Sequence, residues 1–346
     1  MALLWVDGFE QYGAEGGEVT PNAVLNTVYS SVTGGSINVV SGRVAGTALY
    51  FDISASTIAT TPLTMNRTLI AGVAFKTANT TGNKCLIDFQ SQIMDGDPIS
   101  YGAFGAWQET QNLAIRMGNT TLNTVNVALS ADTWYYLEFK VYCDDSSGTA
   151  EIRLDGTPVV TYSGDTKYHG SWNTYTNVCF RGGGLLTIDD LYVADGSGST
   201  CNDFLGDCTV YTLLPDGDAS GNMTANSGSD EYAMVNGTTM NTDNYIKDTA
   251  TGNRCVFTYG DLPVTPNTIY GVQVNSEANL SSNLTKGLKH VTQNGTGSVN
   301  TSSVVHPVDR AATYIGAVTD VFETNADGDA WTPALVDDAR FGVQVV

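Results

Sequence analysis

The sequence predicts an all-β protein, on the basis of its composition and the pattern of its apolar residues. Only 15% of the 346 residues are charged, and 37 glycines together with many Thr, Ser and Asn residues take their place. This balance is typical of strands joined by tight turns. Short apolar or alternating runs bounded by turn residues recur along the chain, while a 3.6-residue period is nearly absent. With 42% hydrophobic residues the chain can form two cores, so we expect two β domains.

The clearest strand candidates all precede residue 200. They are 46–53, 68–76, 84–90, 112–117, 134–143, 150–154, 157–162, 177–181 and 186–193. Asp155 and Gly156 separate two of these runs, and both residue types tolerate the positive φ angles of a tight turn. The runs on either side of this pair are therefore predicted to form a hairpin.

A run of small polar residues follows Val193 and marks a domain boundary, because Ala-Asp-Gly-Ser-Gly-Ser-Thr cannot bury a core. We place the first domain at 1–194, a linker at 195–207 and a smaller β domain at 208–346. The strands predicted in this second domain are 208–214, 245–248, 254–259, 268–276, 287–291, 312–322 and 341–346. A short helix is predicted at 332–338, with Thr332 as its cap and Pro333 at its first position.

The charge of the chain excludes nucleic-acid binding. Asp and Glu number 36 against 15 Lys and Arg, which gives a net charge of -21. Phosphate backbones and anionic membranes would be repelled by such a surface. No stretch reaches the roughly 20 consecutive apolar residues of a membrane span, so we expect no membrane insertion. The N-terminus has neither a basic segment nor a long apolar one, so no signal peptide is expected.

The six cysteines include no Cys-x-x-Cys pair, which argues against a zinc or thioredoxin-like site. We expect most of them to be buried thiols. Cys201 and Cys208 flank a six-residue segment, and this spacing also allows a small disulfide if the protein matures outside a reducing compartment. The sequence leaves these two states open.

Five segments of the first part, in their order along the chain, resemble a concanavalin A-like, laminin-G-type jelly roll. They are Asp7-Gly8-Phe9-Glu10, the run from Gly42 to Leu49, the run from Trp134 to Phe139, Leu154-Asp155-Gly156, and the run from Ile188 to Val193. The resemblance implies an N-terminal jelly-roll sandwich over 1–194. We expect a smaller C-terminal β-sandwich after it.

Three later segments resemble structural proteins of tailed bacteriophages that append a second β domain to such a jelly roll. They are the run from Asn202 to Asp207, the run from Leu213 to Asp218, and the run from Val321 to Asn325 followed by Trp331-Thr332. The resemblance implies a virion protein, made in the cytoplasm of the bacterial host, that forms an exposed appendage or decoration of the tail or head. Other virion proteins, copies of this chain and host-surface polysaccharide are the expected partners. A receptor-binding lectin of the tail is the alternative.

We expect no enzymatic activity. Glycoside hydrolases, polysaccharide lyases and lectins share the jelly-roll fold, so the residues of the site must decide. Retaining hydrolases of this fold carry paired carboxylates at E-x-D-x-x-E spacing, and this sequence contains no such triplet. His169, His290 and His306 lie in loop-like contexts with neither metal-binding spacing nor a serine nucleophile signature. Solvated or locally hydrogen-bonded histidines are the favoured interpretation.

Calcium is the one cofactor that the jelly-roll resemblance implies. Carbohydrate-active relatives often hold a structural Ca²⁺ through an acid near the start of the chain, backbone carbonyls and an Asp on the closing strand. The matching residues are Asp7, Glu10 and Asp189 or Asp190. Calcium takes roughly six to eight oxygens, so carbonyl or water oxygens would have to complete the site. The alternative, which we favour, is that Asp7 caps a glycine turn and one acid of the closing pair points to solvent.

Aromatic residues in loop-like stretches are the candidates for glycan binding, because flat rings stack on sugar rings. The candidates are Tyr101, Trp107, Trp172 and Tyr175, with Phe104 and Tyr168 in the same stretches. In the favoured alternative, these side chains cover the end of the sandwich or contact a neighbouring subunit.

Overall fold

The chain contains two compact units, Met1–Val210 and Tyr211–Val346. The computed structural model describes residues 2–13, 18–19, 25–33, 37–52, 57–60, 63–90, 104–167, 175–182, 185–237, 243–280, 286–308 and 316–346. The domain limits proposed above, with a linker at 195–207, stay a prediction. Within the described segments, no helix has the length and apolar character that a membrane crossing requires.

The first unit is built from short antiparallel strands. Its elements are β1 Leu3–Asp7, β2 Glu18–Val19, α1 Leu25–Val28, β3 Tyr29–Thr33, β4 Ile37–Ser41, β5 Thr47–Phe51, β6 Thr57–Thr60, β7 Thr68–Thr77, β8 Asn83–Gln90, β9 Phe104–Glu109, β10 Asn112–Met117, β11 Thr120–Asn126, β12 Trp134–Tyr142, β13 Gly148–Leu154, β14 Thr157–Gly164, β15 Asn177–Arg181 and β16 Leu186–Asp195. A 3-10 turn, Glu10–Tyr12, follows β1. The bounds of β10 and β15 are those predicted from the sequence.

These strands form two sheets packed face to face. Among the described residues, one sheet has the order β14-β13-β12-β7-β16-β5-β4-β2 with β1 beside β16, and the other has the order β11-β10-β9-β8-β15-β6-β3. Phe139 of the first sheet stacks on Phe89 and Phe104 of the second, with ring centroids 5.5 and 6.1 Å apart. Burial of the apolar faces between the sheets drives this packing. The prediction of an all-β jelly-roll sandwich is confirmed.

The opening and closing strands of the first unit are neighbours. Strand β1 pairs with the second half of β16, whereas β5 pairs with its first half. Between the two halves lies a bulge at Asp189 and Asp190, and Asp190 has a φ of 52°. The bulge turns these two carboxylates out of the regular ladder, and it therefore places them beside the end of β1.

The segment 195–207, predicted as a linker, packs against the outer face of the larger sheet. Asp203 accepts a hydrogen bond from Lys140 Nζ at 2.9 Å, and the Phe204 ring lies 4.0 Å from the guanidinium carbon of Arg153. The backbone N–H of Gly206 donates to Oε1 of Glu138 at 2.8 Å. These contacts hold the segment on the first unit.

The second unit is a smaller β-sandwich. Its elements are β17 Pro215–Gly221, β18 Thr224–Ala225, β19 Ile246–Lys247, β20 Arg254–Tyr259, β21 Val272–Ala278, β22 Lys286–Asn294, β23 Val299–Thr301, β24 His306–Val308, β25 Gly316–Phe322, α2 Pro333–Asp338, β26 Ala339–Val345 and a 3-10 turn at Tyr232–Met234. In the described part, one sheet has the order β17-β20-β26-β22-β23 with β24 beside β22. The ribbon of β21 and β25 packs on it through Val274 and Phe322, which share a core with Phe341 of β26.

Strands β3, β4, β6, β11 and β17 were not among those predicted, and two further features of the sequence prediction need correction. No strand forms at 208–214, because side chains replace a ladder there: the N–H of Val210 donates to Asp190 at 2.8 Å, and the guanidinium of Arg43 donates to the carbonyl of Cys208 at 2.7 Å. Strand β9 was not predicted, and it places Trp107 within a sheet instead of a loop. The predicted helix is present, and Thr332 Oγ1 caps it by accepting from the N–H of Leu335 at 3.3 Å.

Candidate functional site

Polar side chains gather on the outer face of the seven-stranded sheet. In the ladder, Asp88 of β8 pairs with Cys179 on one side and with Gly105 on the other, and Gly105 pairs in turn with Arg116. Directly paired residues point to the same face of a sheet. Their chain neighbours, which include Phe89, Phe104, Ile115 and Phe180, belong to the core. The row therefore points away from the core.

A second row on the same face runs from Arg181 through Cys85 to Trp107. Together the two rows define a surface that we call the polar face. Its polar and aromatic members are Asp88, Gln90, Trp107, Glu109, Arg116 and Arg181, from strands β8, β9, β10 and β15.

Asp88 is the most deeply buried acid of the polar face, with a side chain that is 1% exposed. Its Oδ2 accepts a hydrogen bond from Gln90 Nε2 at 2.8 Å, and Nη2 of Arg181 lies 3.6 Å from the same oxygen. Burial raises the pKa of Asp88 to about 6, although the charge of Arg181 and the bond from Gln90 act to lower it. The carboxyl group can therefore exchange a proton near neutral pH.

Arg116 and Trp107 form a cation–π pair beside this acid. The guanidinium carbon of Arg116 lies 4.7 Å from the centre of the indole ring. The guanidinium also donates to the carbonyl of Asn119 at 3.0 Å, and its Nε lies 3.4 Å from Oε1 of Glu109. These contacts fix the plane of the indole, which is half-buried at the edge of the face.

Gly105 lets the indole and the buried acid approach each other. A Cβ atom at this position would lie 2.8 Å from Nε1 of Trp107 and 2.9 Å from Oδ1 of Asp88. Both distances are shorter than a carbon atom allows, so any larger residue would push the two groups apart. The site therefore requires glycine at this position because of the space available, and not because of its backbone dihedral angles.

By distance and angle, several buried polar atoms of the polar face have no hydrogen-bond partner among the residues that the structure describes. They are Oδ1 of Asp88, Nε of Arg116, and Nε and Nη2 of Arg181. Leaving a buried polar atom unpaired costs about 1–3 kcal/mol, and more when the group is charged. A hydrogen-bonding partner that reached these atoms would remove this cost.

Only one residue of this face, Trp107, was predicted from the sequence. The signal for the charged residues was present: Arg116 and Arg181 are the single charges of β10 and β15, and Asp88 follows the apolar run Cys85-Leu86-Ile87 of β8. Such a charge must point away from the core, because alternation sends successive side chains to opposite faces. Their convergence could not be read from the sequence, since it depends on how β8, β9, β10 and β15 are paired.

Asp7, predicted as a calcium ligand, is a buried structural acid. The N–H of Phe9 and the amide of Gln11 donate to its Oδ1 at 2.8 and 2.9 Å, while the hydroxyls of Tyr12 and Tyr29 each donate to its Oδ2 at 2.7 Å. Burial raises its pKa, against the effect of these four bonds. The donors occupy the lone pairs that a metal ion would use.

The other predicted calcium ligands also have protein partners. Glu10 packs its side chain against Gly8 and Gly46. Asp189 accepts from the backbone N–H of Arg43 at 2.7 Å, and Asp190 forms an ion pair with the Arg43 guanidinium at 2.8 Å. Burial, together with the neighbouring charge of Asp190, raises the pKa of Asp189 to about 7. Calcium binding by these acids stays a prediction.

The four predicted glycan contacts separate in the structure. Trp107 lies on the polar face, as described above. Tyr175 precedes β15 in a stretch without helix or strand, its side chain is buried in the core, and its hydroxyl donates to the carbonyl of Thr166 at 2.9 Å. Tyr101 and Trp172 lie outside the described residues.

Comparisons with known proteins identify structures of similar fold and no sequence relative. No protein-family model matches the chain, and no curated protein matches it. An alginate lyase, Aly36B, aligns with 55% of this chain and 96% of its own, at a TM-score of 0.39 and 12% identity. Domain 4 of a GH43 extracellular arabinanase from Geobacillus stearothermophilus, in complex with arabinotriose, aligns with 48% of this chain and 78% of its own, at a TM-score of 0.35 and 15% identity.

A sialidase of Trypanosoma rangeli, in a mutant form that displays trans-sialidase activity, aligns with 47% of this chain at a TM-score of 0.34 and 14% identity. The chain spans 27% of the length of that sialidase. Similarity at these levels concerns the fold alone.

The expectation that the chain is not an enzyme is contradicted by these findings, because the similar structures include a sialidase and an alginate lyase. The expectation rested on the lack of a carboxylate triplet within one strand. In the folded chain, Asp88 on β8 and Glu109 on β9 share one face without any such spacing. A test confined to one strand could not detect carboxylates that two strands bring together.

Proposed function

We propose that the first unit binds a carboxylated glycan on the polar face of its seven-stranded sheet. One observation carries the proposal: one oxygen of a buried carboxyl group and several buried guanidinium nitrogens lack hydrogen-bond partners among the described residues, and they lie beside a half-buried tryptophan. Concave or flat sites with a few convergent polar groups and a group of perturbed pKa are the usual form of ligand sites.

Arg181 supports the choice of a carboxylated ligand. Its Nε and Nη2 atoms meet the distance and angle of a hydrogen bond with no residue in the described part of the chain, and these two atoms form the side-on edge of the guanidinium group. That edge matches a carboxylate with two parallel hydrogen bonds, which a neutral hydroxyl cannot provide. At a net charge of -21 the chain repels anions at long range, so the attraction has to come from this local pair of guanidinium groups.

Trp107 supports the choice of a sugar. An indole ring presents a flat apolar surface, on which the C–H groups of a sugar ring can stack. Arg116 holds the ring in place from one side. Asp88, with a pKa of about 6, can accept or donate a hydrogen bond to a sugar hydroxyl, and it is the group best suited to transfer a proton if the ligand is cleaved.

The experiment compares an oligouronate with a neutral oligosaccharide of the same length, using the full chain. Calorimetry measures binding, and size-exclusion chromatography with a reducing-end assay measures cleavage. We expect binding of the oligouronate, with at least about tenfold weaker binding after Arg181→Gln. The matched control is Arg254→Gln in the second unit, which should bind as the parent does.

Equal affinity for the two oligosaccharides would refute the choice of a carboxylated ligand. An unchanged affinity in the Arg181→Gln variant would refute the placement of the site. Shortened oligouronate, with cleavage lost in Asp88→Asn, would add an activity to the same site.

We also propose that the chain is a virion protein of a tailed bacteriophage, with other virion proteins, copies of itself and host-surface polysaccharide as its partners. This proposal rests on the phage-like segments of the sequence, such as Asn202 to Asp207. An exposed appendage of the tail or head would present the polar face to the host surface. Antibodies raised against the chain should label purified particles, and labelling confined to material outside particles would refute the role.

A further inference from the structure

Two histidines and an aspartate converge in the second unit. Nδ1 of His290 lies 2.8 Å from Oδ2 of Asp320, and Nε2 of His306 lies 3.0 Å from the same oxygen. The two imidazole rings are 6.0 Å apart between centroids. The other ring nitrogen of His290, Nε2, lies 2.8 Å from the hydroxyl oxygen of Ser276. Three potential ligand atoms from three strands thus lie within 4.8 Å of one another.

The strand pairing builds this cluster. Leu288 of β22 pairs with His306 of β24, so His290, two residues further along β22, is the diagonal neighbour of His306 on the same face. On the ribbon, Asp320 of β25 pairs with Val274 of β21. Val274 belongs to the core, so its partner Asp320 faces the sheet as well. Polar residues therefore replace apolar ones at one end of the interface between ribbon and sheet.

We propose that His290, His306 and Asp320 bind a divalent transition-metal ion, with zinc as the best match. Two imidazoles and one carboxylate are a donor set that zinc takes at about 2.0–2.2 Å, with a fourth position left for water. Ligands of a tetrahedral ion at such distances lie about 3.3 Å apart. The separations of 2.8 and 3.0 Å from Asp320 Oδ2 are a few tenths of an ångström shorter than this, and the two histidine nitrogens lie within 4.8 Å of each other.

The surroundings hold the proposed ligands in place. Both histidines contact one oxygen of Asp320, whose side chain is 11% exposed. His290 is fully buried, and its backbone N–H donates to Oγ of Ser302 at 3.2 Å, which fixes its strand. With the metal on Nδ1, its Nε2–H would donate to Ser276, and such outer partners orient ligand imidazoles in metal sites.

Ser276, His290 and Asp320 also have the connectivity of a hydrolase triad, but the surroundings favour a metal. Ser276 lies inside β21, in register with Val318 of β25, and not on a turn that would gather backbone N–H groups around its hydroxyl. A triad also gives no role to His306, which contacts the same carboxylate oxygen as His290. A metal ion uses both histidines.

The sequence prediction of solvated or locally hydrogen-bonded histidines stays a prediction, and the structure shows both side chains hydrogen-bonded to Asp320. Metal-binding motifs place ligands at short spacing along the chain, whereas these ligands come from β22, β24 and β25. The side chain of His306 is 22% exposed, which gives an ion and a water molecule access to the cluster. The third histidine, His169, lies outside the described residues.

The test titrates the full chain, freed of metal with a chelator, with Co²⁺ and then with Zn²⁺. We expect one cobalt ion per chain with the visible absorption of a tetrahedral N/O site, displacement of cobalt by zinc, and a higher melting temperature of the second unit with zinc. His306→Gln and Asp320→Asn should weaken zinc binding by at least about 100-fold, which exceeds the roughly 10–100-fold loss expected for the outer partner in Ser276→Ala. His169→Gln is the matched control and should bind as the parent does.

Circular dichroism of each metal-free variant shows whether it is folded; His306→Gln, at the exposed edge, is the variant expected to keep the fold. A folded parent that binds neither ion, or a His306→Gln variant with unchanged affinity, would overturn the proposal. Metal-free hydrolysis of a p-nitrophenyl ester that is lost in Ser276→Ala, without cobalt binding, would replace it with the triad. Loss of the glycan site in Arg181→Gln would leave all of these results unchanged, because the two sites lie in different units.

Discussion

Arg181 approaches Asp88 to 3.6 Å between Nη2 and Oδ2, across the paired strands β15 and β8, without completing a hydrogen bond. The carboxyl group is 1% exposed, and the guanidinium edge toward it is unpaired. Two buried, opposite charges at this separation are stabilised by attraction and penalised by loss of water. For Asp88 the loss of water outweighs the attraction to Arg181, and the pKa of its carboxyl group is therefore raised.

The first prediction concerns the stability of the fold against pH. The folded-state pKa of Asp88 is about 6, above its usual value of 3.8, so the folded chain holds this proton more tightly than the unfolded chain does. The contribution of Asp88 to stability is therefore present at low pH, falls as the pH rises from about 4 to about 6, and amounts to about 3 kcal/mol. Urea unfolding should show that stability falls with rising pH by this amount less in Asp88→Asn than in the parent, since other buried acids such as Asp189 are unchanged in the variant; parallel curves for the two proteins would contradict it.

The affinity for the glycan should depend on the protonation of Asp88. A ligand carboxylate beside Asp88 is repelled when Asp88 is ionised, and sugar carboxylates stay ionised above about pH 4.5. Affinity for the oligouronate should thus rise by up to about 30-fold between about pH 7.5 and about pH 5, in proportion to the protonated fraction of Asp88. Calorimetry across this range provides the measurement. In Asp88→Asn the affinity should be nearly independent of pH, and a pH dependence that survives in this variant would count against the role of Asp88.

Gly105→Ala tests the close packing of the polar face. The added methyl group would meet Trp107 Nε1, Asp88 Oδ1 and the backbone oxygen of Ile87 at 2.8–2.9 Å, so the indole must move. We expect a loss of about 1–3 kcal/mol in unfolding free energy, together with a shift in tryptophan fluorescence and weaker glycan binding. Gly260→Ala is the control, because a Cβ there meets no atom within 4 Å. Identical behaviour of the two variants would show that the site tolerates the displacement.

Tyr29→Phe should destabilise the first unit. The Tyr29 hydroxyl donates to the buried Oδ2 of Asp7 at 2.7 Å, and hydrogen bonds to charged groups contribute about 1.5–3 kcal/mol. The expected loss in unfolding free energy has this size. Tyr245→Phe, at a ring that is 45% exposed, should cost less than about 0.5 kcal/mol. A similar result for both variants would mean that the remaining three donors fully satisfy Asp7.

Thiol counting decides between the two states left open for Cys201 and Cys208. All six cysteines are free thiols in the structure, and burial raises the pKa of Cys208 to about 12. Since the thiolate is the reactive form, alkylation of the folded chain at about pH 8 should be slow. After unfolding in urea without reductant, mass spectrometry should find six alkylated cysteines. Four would indicate that the disulfide forms.

The sequence by itself determined the local structure. Alternation and turn residues located β10, β15 and β20 with their observed bounds, and the Thr332-Pro333 pair located the start of α2. These signals are local: a strand must alternate to bury one face, and a helix must cap its first N–H groups. Where the local signal was mixed, as in Phe104 to Glu109 with its glycine, the strand was missed.

Only the tertiary structure decided which polar residues meet. Asp88, Arg116 and Arg181 come from three strands, as do His290, His306 and Asp320, and no spacing along the chain connects them. Strand order and register determine which side chains are in contact, because a one-residue shift in register would turn every side chain of a strand to the opposite face. Register in turn depends on packing across the whole sandwich. The two proposed sites therefore depend on how the strands are arranged in the sheets, while the positions of many of the strands can be predicted from the sequence.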